Sequence, residues 1–134
     1  MRLMDLDPQF YRHATEKAGS HLGRKLEDGS TQWGGFETDI FVKVADLSRA
    51  DSVMFLCPAC FAKNGGPVGT HRIRIDFAGR GVPDRCCIRN GGGQPVRWNV
   101  SGSGFTDLTT TPSILICGGC AWHGFITNGQ IVGA

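Results

Sequence analysis

Two Cys-x-x-Cys pairs constrain this chain more than anything else in it: Cys57-Pro58-Ala59-Cys60 and Cys117-Gly118-Gly119-Cys120. Each pair offers two sulfurs from one side of a tight turn, and two such turns facing each other close a tetrahedron around a zinc ion. Pro58 stiffens the first turn, and Gly118 and Gly119 let the second bend freely. The fourth position is contested, because Cys120-Ala121-Trp122-His123 is also a Cys-x-x-His. The candidate ligands are therefore Cys57, Cys60, Cys117, Cys120 and His123, holding one structural Zn2+. A closed set of four protein ligands leaves no position for a catalytic water.

A chain of 134 residues makes one domain, with room for a modest core that a structural metal would reinforce. The division suggested by the residues is an N-terminal appendage, 1–50, carrying a helix and a strand, and a zinc-binding β domain, 51–134, the two forming one compact unit. Net charge is +2, with 19% charged residues. A zinc ion with four thiolates carries about −2, so the loaded protein would be near neutral. That weighs against nucleic-acid binding driven by phosphate neutralisation. No apolar run has the length of a signal peptide or a membrane span. The expected location is the cytoplasm, where paired cysteines read as metal ligands. The adjacent Cys86-Cys87 reads as free thiols, since neighbouring cysteines bridge each other poorly.

Along the chain, Asp7-Pro8 reads as a helix N-cap with proline at the first helical position. Phe10, Tyr11, Ala14 and Ala18 fall on one helical face and Gly19 supplies a stop. Residues 19–38 are polar and glycine-rich and read as loop. From Asp39 the period becomes two: 40–44, 53–56, His71 to Phe77, 96–100 and 113–116 read as strands. In the third of these, His71, Ile73, Ile75 and Phe77 share the inward face. Residues 79–95, with Gly91-Gly92-Gly93 and Pro95, read as a long loop. Asn128-Gly129 between two apolar triplets predicts a hairpin with a type I′ turn. The expected fold is mostly β: a small antiparallel domain built around a zinc site with zinc-ribbon-like turns, and one N-terminal helix.

Of the four histidines, His13 and His21 are expected at the surface, in the helix and the polar loop. His71, at the start of a strand, reads either as a core histidine or as a general base at the rim of the sheet. Ser113, after Pro112, reads as a turn residue. It becomes a nucleophile if His71 or His123 reaches its hydroxyl, with Asp107 orienting the imidazole. Amides near Gly118-Gly119 would suit an oxyanion. Arg72, Arg74, Arg80, Arg85, Arg89 and Arg97 make the centre of the chain basic, with few interleaved aromatics, as on a solvated face.

The segments Phe55-Leu56-Cys57-Pro58-Ala59-Cys60-Phe61, Asn64 to His71, Asp107 to Ile114 and Gly119 to Phe125 resemble a family of small phage and prophage proteins. That family is related to the BubE-type deconjugating peptidases of bacterial ubiquitin-like operons, and the resemblance spans residues 50 to 134. Members often carry the label ammonia monooxygenase. That enzyme is a membrane-bound copper protein, whereas this chain has no span and its cysteine pairs suit zinc.

The resemblance implies that Cys57, Cys60, His71, Ser113, Cys120 and His123 are the recurrent positions, and that Cys117 is less typical. Two assignments follow. With Cys57, Cys60, Cys120 and His123 on the metal, His71 and Ser113 remain for catalysis. With Cys117 on the metal, His123 is free to act as a base beside Ser113. The function implied is a zinc-stabilised Ser/His hydrolase, a peptidase removing ubiquitin-like conjugates from a protein substrate. The second reading is a non-catalytic zinc module that binds a host or phage protein through loop 79–95 and Trp98. Nucleic-acid binding through the arginines ranks third.

Overall fold

A computed structural model describes residues 1–17, 23–116 and 119–134. His21, Cys117 and Gly118 therefore lie outside the described residues. The strands are β1 (Gln9–Lys17), β2 (Gly23–Lys25), β3 (Thr31–Trp33), β4 (Glu37–Val44) and β5 (Ser52–Leu56), followed by the helix α1 (Pro58–Asn64). After it come β6 (Arg72–Asp76), β7 (Asn99–Ser101), β8 (Thr109–Thr111), β9 (Ile114–Leu115), β10 (His123–Thr127) and β11 (Gln130–Gly133). Among the described residues the fold is mostly antiparallel β with one α-helix, as expected, but the helix is not N-terminal.

The N-terminal segment corrects the sequence reading. Leu3–Leu6 form a 3-10 turn with both leucines buried, and Asp7 closes it in a left-handed conformation (φ 48) instead of capping a helix. Gln9–Lys17 is then extended. Pairing with β4 across eight residues and with β5 across three outweighs the helical spacing of Phe10 and Ala14, because local periodicity yields to sheet partners on both sides. The region read as loop, 19–38, contains the short β2–β3 hairpin.

One sheet runs β4-β1-β5-β6 and a second runs β11-β10-β9. Since β1 pairs with β5, the first sheet draws strands from both sides of residue 50. A single apolar cluster joins the sheets, with Leu6, Phe55, Ile75, Trp98, Ile114 and Ile126 among its buried members. The chain start packs against the C-terminal hairpin: the Leu3 amide donates to the Gly129 carbonyl at 2.8 Å. That hairpin turns at Asn128 and Gly129, both with positive φ (48 and 73), as a type I′ turn requires.

Trp98 is not in a strand of its own. Its amide donates to the Asp76 carbonyl at 2.9 Å and its carbonyl accepts from the Ala78 amide at 2.8 Å, which lays residue 98 along the end of β6. Loop 79–95 is tied down by arginines. Arg80 donates to the Leu47 and Ala50 carbonyls, Arg85 grips Asp39 with two nitrogens, and Arg97 bridges the Val82 carbonyl and Asp84.

Candidate active site and metal centre

The first Cys-x-x-Cys pair is a helix start. Cys57 occupies the N-cap of α1 and Pro58 the first turn, while Gly65 ends the helix at φ 69. Cys57 and Cys60, three apart, project from one side of that turn. The β5–β6 register, with Leu56 opposite Arg72, continues one step further: the Cys57 amide donates to the His71 carbonyl at 2.8 Å. His71 thus arrives beside the thiols, exposed and just ahead of β6, and not on the inward face with Ile73 and Ile75.

Cys57, Cys60, His71 and Cys120 bring their ligand atoms within 4.8 Å of one another. Cys120 Sγ lies 3.3 Å from Cys57 Sγ and 3.3 Å from His71 Nε2. A tetrahedral zinc with metal–sulfur bonds of ~2.3 Å has sulfur–sulfur edges of about 3.8 Å, so the cluster has the size and the soft donors for a cation. Its electrostatics are uneven. The Trp122 amide, then His71, lower the Cys120 thiol to about 6. Burial pushes Cys57 up to about 11. Cys117, expected as a ligand, lies outside the described residues.

His123 stands elsewhere. It begins β10, and its Nε2 lies 2.9 Å from Ser113 Oγ. The cause is register. Leu115 faces His123 across β9 and β10 and Ile114 faces Gly124, so Ser113 is the diagonal neighbour of His123 on the same face, within reach of a long side chain. The structure therefore pairs Ser113 with His123, and places His71, expected as the base in one assignment, among the thiols instead.

Asp107 does not orient either imidazole. Both its oxygens accept from the Ser103 amide, one also from the Gly104 amide at 2.9 Å and the other from Ser103 Oγ at 2.9 Å. Those bonds hold its carboxyl below the ordinary range and close the 103–107 turn. Among the described residues no carboxylate bonds to His123, so Ser113 and His123 meet as a pair without an acidic third member. Gly119, one of the two glycines expected at an oxyanion, sits in the turn at φ 55.

Ser113 opens into a groove of about 680 Å³, walled on one side by β9 and on the other by the arginine-pinned loop through Ile88, Pro95 and Val96. Trp98 lies between the walls and its Nε1 donates to the Ser113 carbonyl at 3.3 Å. Trp122, between the cluster and the dyad in sequence, is buried and meets Phe55 edge-on at 6.2 Å. This tryptophan fixes the short segment connecting Cys120 to His123.

A second group, His13, Asp39 and Cys86, also falls within 4.8 Å. His13, expected at the surface of a helix, is a largely covered strand residue whose Nε2 lies 2.8 Å from Asp39 Oδ1. Arg85 and then His13 hold the Asp39 carboxyl far below its usual range, and the guanidinium already supplies the positive charge that a metal would bring. Cys86 and Cys87 are free thiols, as expected.

The sequence singles out Cys57, Cys60, His71, Ser113, Cys120 and His123 as residues of interest but does not mark His71 as a ligand, because the register that sorts the two histidines runs across α1 and across the second cysteine turn, where periodicity carries no signal. Among the described residues no helix is long and apolar enough to cross a membrane. Residues 27–134 match the family model described as bacterial ubiquitination-like system serine protease (BubE). No curated protein and no solved structure gives a significant match.

Proposed function

Because the chain belongs to the BubE family of bacterial ubiquitination-like system serine proteases, we propose that Ser113 is its nucleophile and His123 its general base, cleaving the link between a ubiquitin-like tail and a protein. The observation that carries this reading is the 2.9 Å contact between Ser113 Oγ and His123 Nε2 at the mouth of an apolar groove. A serine hydroxyl is a weak nucleophile until a neighbouring base takes its proton.

Ser113 Oγ attacks the scissile carbonyl while His123 Nε2 accepts the hydroxyl proton. The carbon–oxygen bond forms and the carbonyl π pair moves onto oxygen. Collapse expels the amine, which takes the proton from His123, and leaves an acyl-Ser113 ester. Water, deprotonated by the same nitrogen, attacks that ester. The new acid leaves, and the proton returns to Ser113 Oγ. Without a carboxylate on the imidazole, its orientation rests on the β9–β10 pairing and on the packing of Trp122.

Cys57, Cys60, His71 and Cys120 are the residues we assign to a zinc ion. Zinc bound there would supply a cross-link between α1, the start of β6 and the second cysteine turn, with four protein ligands and no open position. His123 follows Cys120 by three residues, so that cross-link anchors the strand end that presents the base. The metal centre thus acts as scaffold and the dyad as chemistry.

The test is covalent labelling with a simple alkyl fluorophosphonate, read by intact mass and peptide mapping. Modification at Ser113 that disappears in Ser113→Ala and drops steeply in His123→Ala supports the assignment. An unlabelled Ser113 in folded, zinc-loaded protein overturns it.

A further inference from the structure

We infer that the substrate binds as an extended strand hydrogen-bonded to the backbone of Leu115, on the outer edge of β9, with a large apolar side chain seated in the groove against Trp98. This deepens the serine-hydrolase reading and rests on it.

The geometry of β9 carries the inference. The Ile116 amide donates to the Trp122 carbonyl at 2.9 Å, which makes 116 and 122 a hydrogen-bonded pair. Two residues along, Ile114 and Gly124 are then hydrogen-bonded as well, and Leu115 with His123 forms the intervening non-hydrogen-bonded pair. The other face of β10 agrees with this phase, because the His123 carbonyl accepts from the Ala134 amide at 3.2 Å, on the side away from β9. It follows that the Leu115 N–H and C=O point away from β10. No strand among the described residues lies there, since β9 ends the sheet order β11-β10-β9.

An exposed edge whose donor and acceptor bond to no described backbone group is a template for an added strand. Here it begins two residues from Ser113, about 6.6 Å along the chain, which is the reach of two residues of a bound peptide. The Ser113 carbonyl on the same edge is already occupied by Trp98 Nε1. That leaves the Leu115 pair as the next place for a substrate backbone to bond.

The groove on that edge selects the side chain. Its walls are Ile88, Pro95, Val96, Trp98, Leu115 and Ile116. Of the cations on its border, Arg97 is ion-paired with Asp84 and also donates to the Val82 carbonyl, while Arg89 donates to the Gly93 and Asp84 carbonyls and is exposed to solvent. No carboxylate among the described residues lines the groove to receive a lysine, and an acidic residue would reach only the exposed, solvent-screened Arg89, an ion pair worth little, so burial of apolar surface decides the preference. The volume of about 680 Å³ admits a leucine or phenylalanine with part of its neighbour.

The experiment uses peptidyl diphenyl phosphonates, in which Ser113 Oγ forms a bond to phosphorus and phenol leaves with the serine proton. Reagents ending in leucine or phenylalanine should label Ser113 at least about tenfold faster than those ending in aspartate or lysine. N-methylation of the one reagent amide that would donate to the Leu115 carbonyl should slow labelling by about tenfold, the loss of one buried hydrogen bond. The simple fluorophosphonate serves as reference, having neither backbone nor side chain. If it labels Ser113 while the peptide reagents show no apolar preference and no effect of N-methylation at any position, the strand-and-groove inference is wrong and the serine assignment stands. If neither class labels Ser113, the serine assignment itself fails and this inference falls with it.

Discussion

The Cys57 amide donates to the His71 carbonyl at 2.8 Å, one residue pair beyond the end of the β5–β6 ladder. That bond places His71 Nε2 3.3 Å from Cys120 Sγ and leaves His123 to Ser113. The two histidines should therefore respond oppositely to substitution. In His71→Ala, zinc measured by elemental analysis after dialysis against a chelator should fall well below the wild-type content of about one per chain, because Cys57, Cys60 and Cys120 hold the ion less tightly than four protein ligands. In His123→Ala it should stay at about one per chain. Zinc loss in His123→Ala with retention in His71→Ala would overturn the ligand set. Zinc loss in His71→Ala should also slow fluorophosphonate labelling of Ser113, through disorder of the segment between Cys120 and His123.

The dyad makes a kinetic prediction. Removing a general base costs about 10²- to 10⁴-fold in rate, so His123→Ala should slow acylation of Ser113 by that range while zinc content and the circular dichroism spectrum hold. Ser113→Ala should abolish labelling. Asp107→Asn should change the labelling rate by less than about threefold, since its oxygens are engaged by Ser103 and Gly104 and a group that does not touch the imidazole has little leverage on proton transfer. A large rate loss in Asp107→Asn with intact stability would restore Asp107 as the third member of a triad.

Much of this fold is legible in the residues. Alternation marks β4, β5 and β6, and Asn128-Gly129 marks the β10–β11 turn. The N-terminus misleads because Asp7-Pro8 followed by Phe10 and Ala14 satisfies a helical template, whereas two flanking strands, β4 and β5, claim the same residues. The first cysteine pair also differs in kind from the turn expected, since Pro58 at the start of α1 converts it into a helix N-terminus. All members of the metal cluster and the dyad are visible as residue types, but His71 reads from the sequence as a core residue or a base and not as a ligand, and the fourth ligand reads as Cys117 or His123. Their sorting depends on whether strand register survives an intervening helix or turn. Residues 57 and 71 face each other only if the β5–β6 pairing continues past Leu56, and 113 meets 123 only if β9 and β10 pair symmetrically around the second cysteine turn.

Cysteine titration follows from the unequal environments of Cys57 and Cys120. In metal-free protein Cys120, lowered to about 6 by the Trp122 amide and His71, is a thiolate at neutral pH. Cys57, raised to about 11 by burial, is a thiol. Iodoacetamide at pH 7 should therefore modify Cys120 at least about tenfold faster than Cys57, and the rate should decline as pH drops through 6. Zinc should protect both. The folding consequence has a definite sign. Between about 6 and the ordinary thiol value of 9.0 the unfolded chain binds more protons at Cys120 than the folded one. Stability should rise with pH across that window, and the contribution is lost as pH falls through 6. Above 9.0 the raised Cys57 acts in reverse, its contribution disappearing as pH rises through about 11. Urea melts of the metal-free protein at pH 5 to 10 should show a maximum near 9, and a monotonic profile would contradict both environments.

Gly124 and Gly133 face each other across β10 and β11, and they should not tolerate alanine equally. A Cβ on Gly124 would come within 2.6 Å of Trp122 Cζ2 and 2.7 Å of the Val132 carbonyl oxygen, whereas a Cβ on Gly133 would meet nothing within 4 Å. The Gly124 contact has no inexpensive escape, because one neighbour is backbone and the other is a buried indole held edge-on against Phe55. Gly124→Ala should cost about 1–3 kcal/mol, the usual range for overpacking, and Gly133→Ala no more than about 0.5 kcal/mol, both read from urea midpoints. The position also bears on chemistry. Trp122 joins Cys120 to His123, so an indole displaced by the new methyl group moves the imaginary line between metal centre and base. Fluorophosphonate labelling of Ser113 should slow in Gly124→Ala and remain unchanged in Gly133→Ala. Equal behaviour of the two variants in stability and in labelling would mean that Trp122 does not support the dyad.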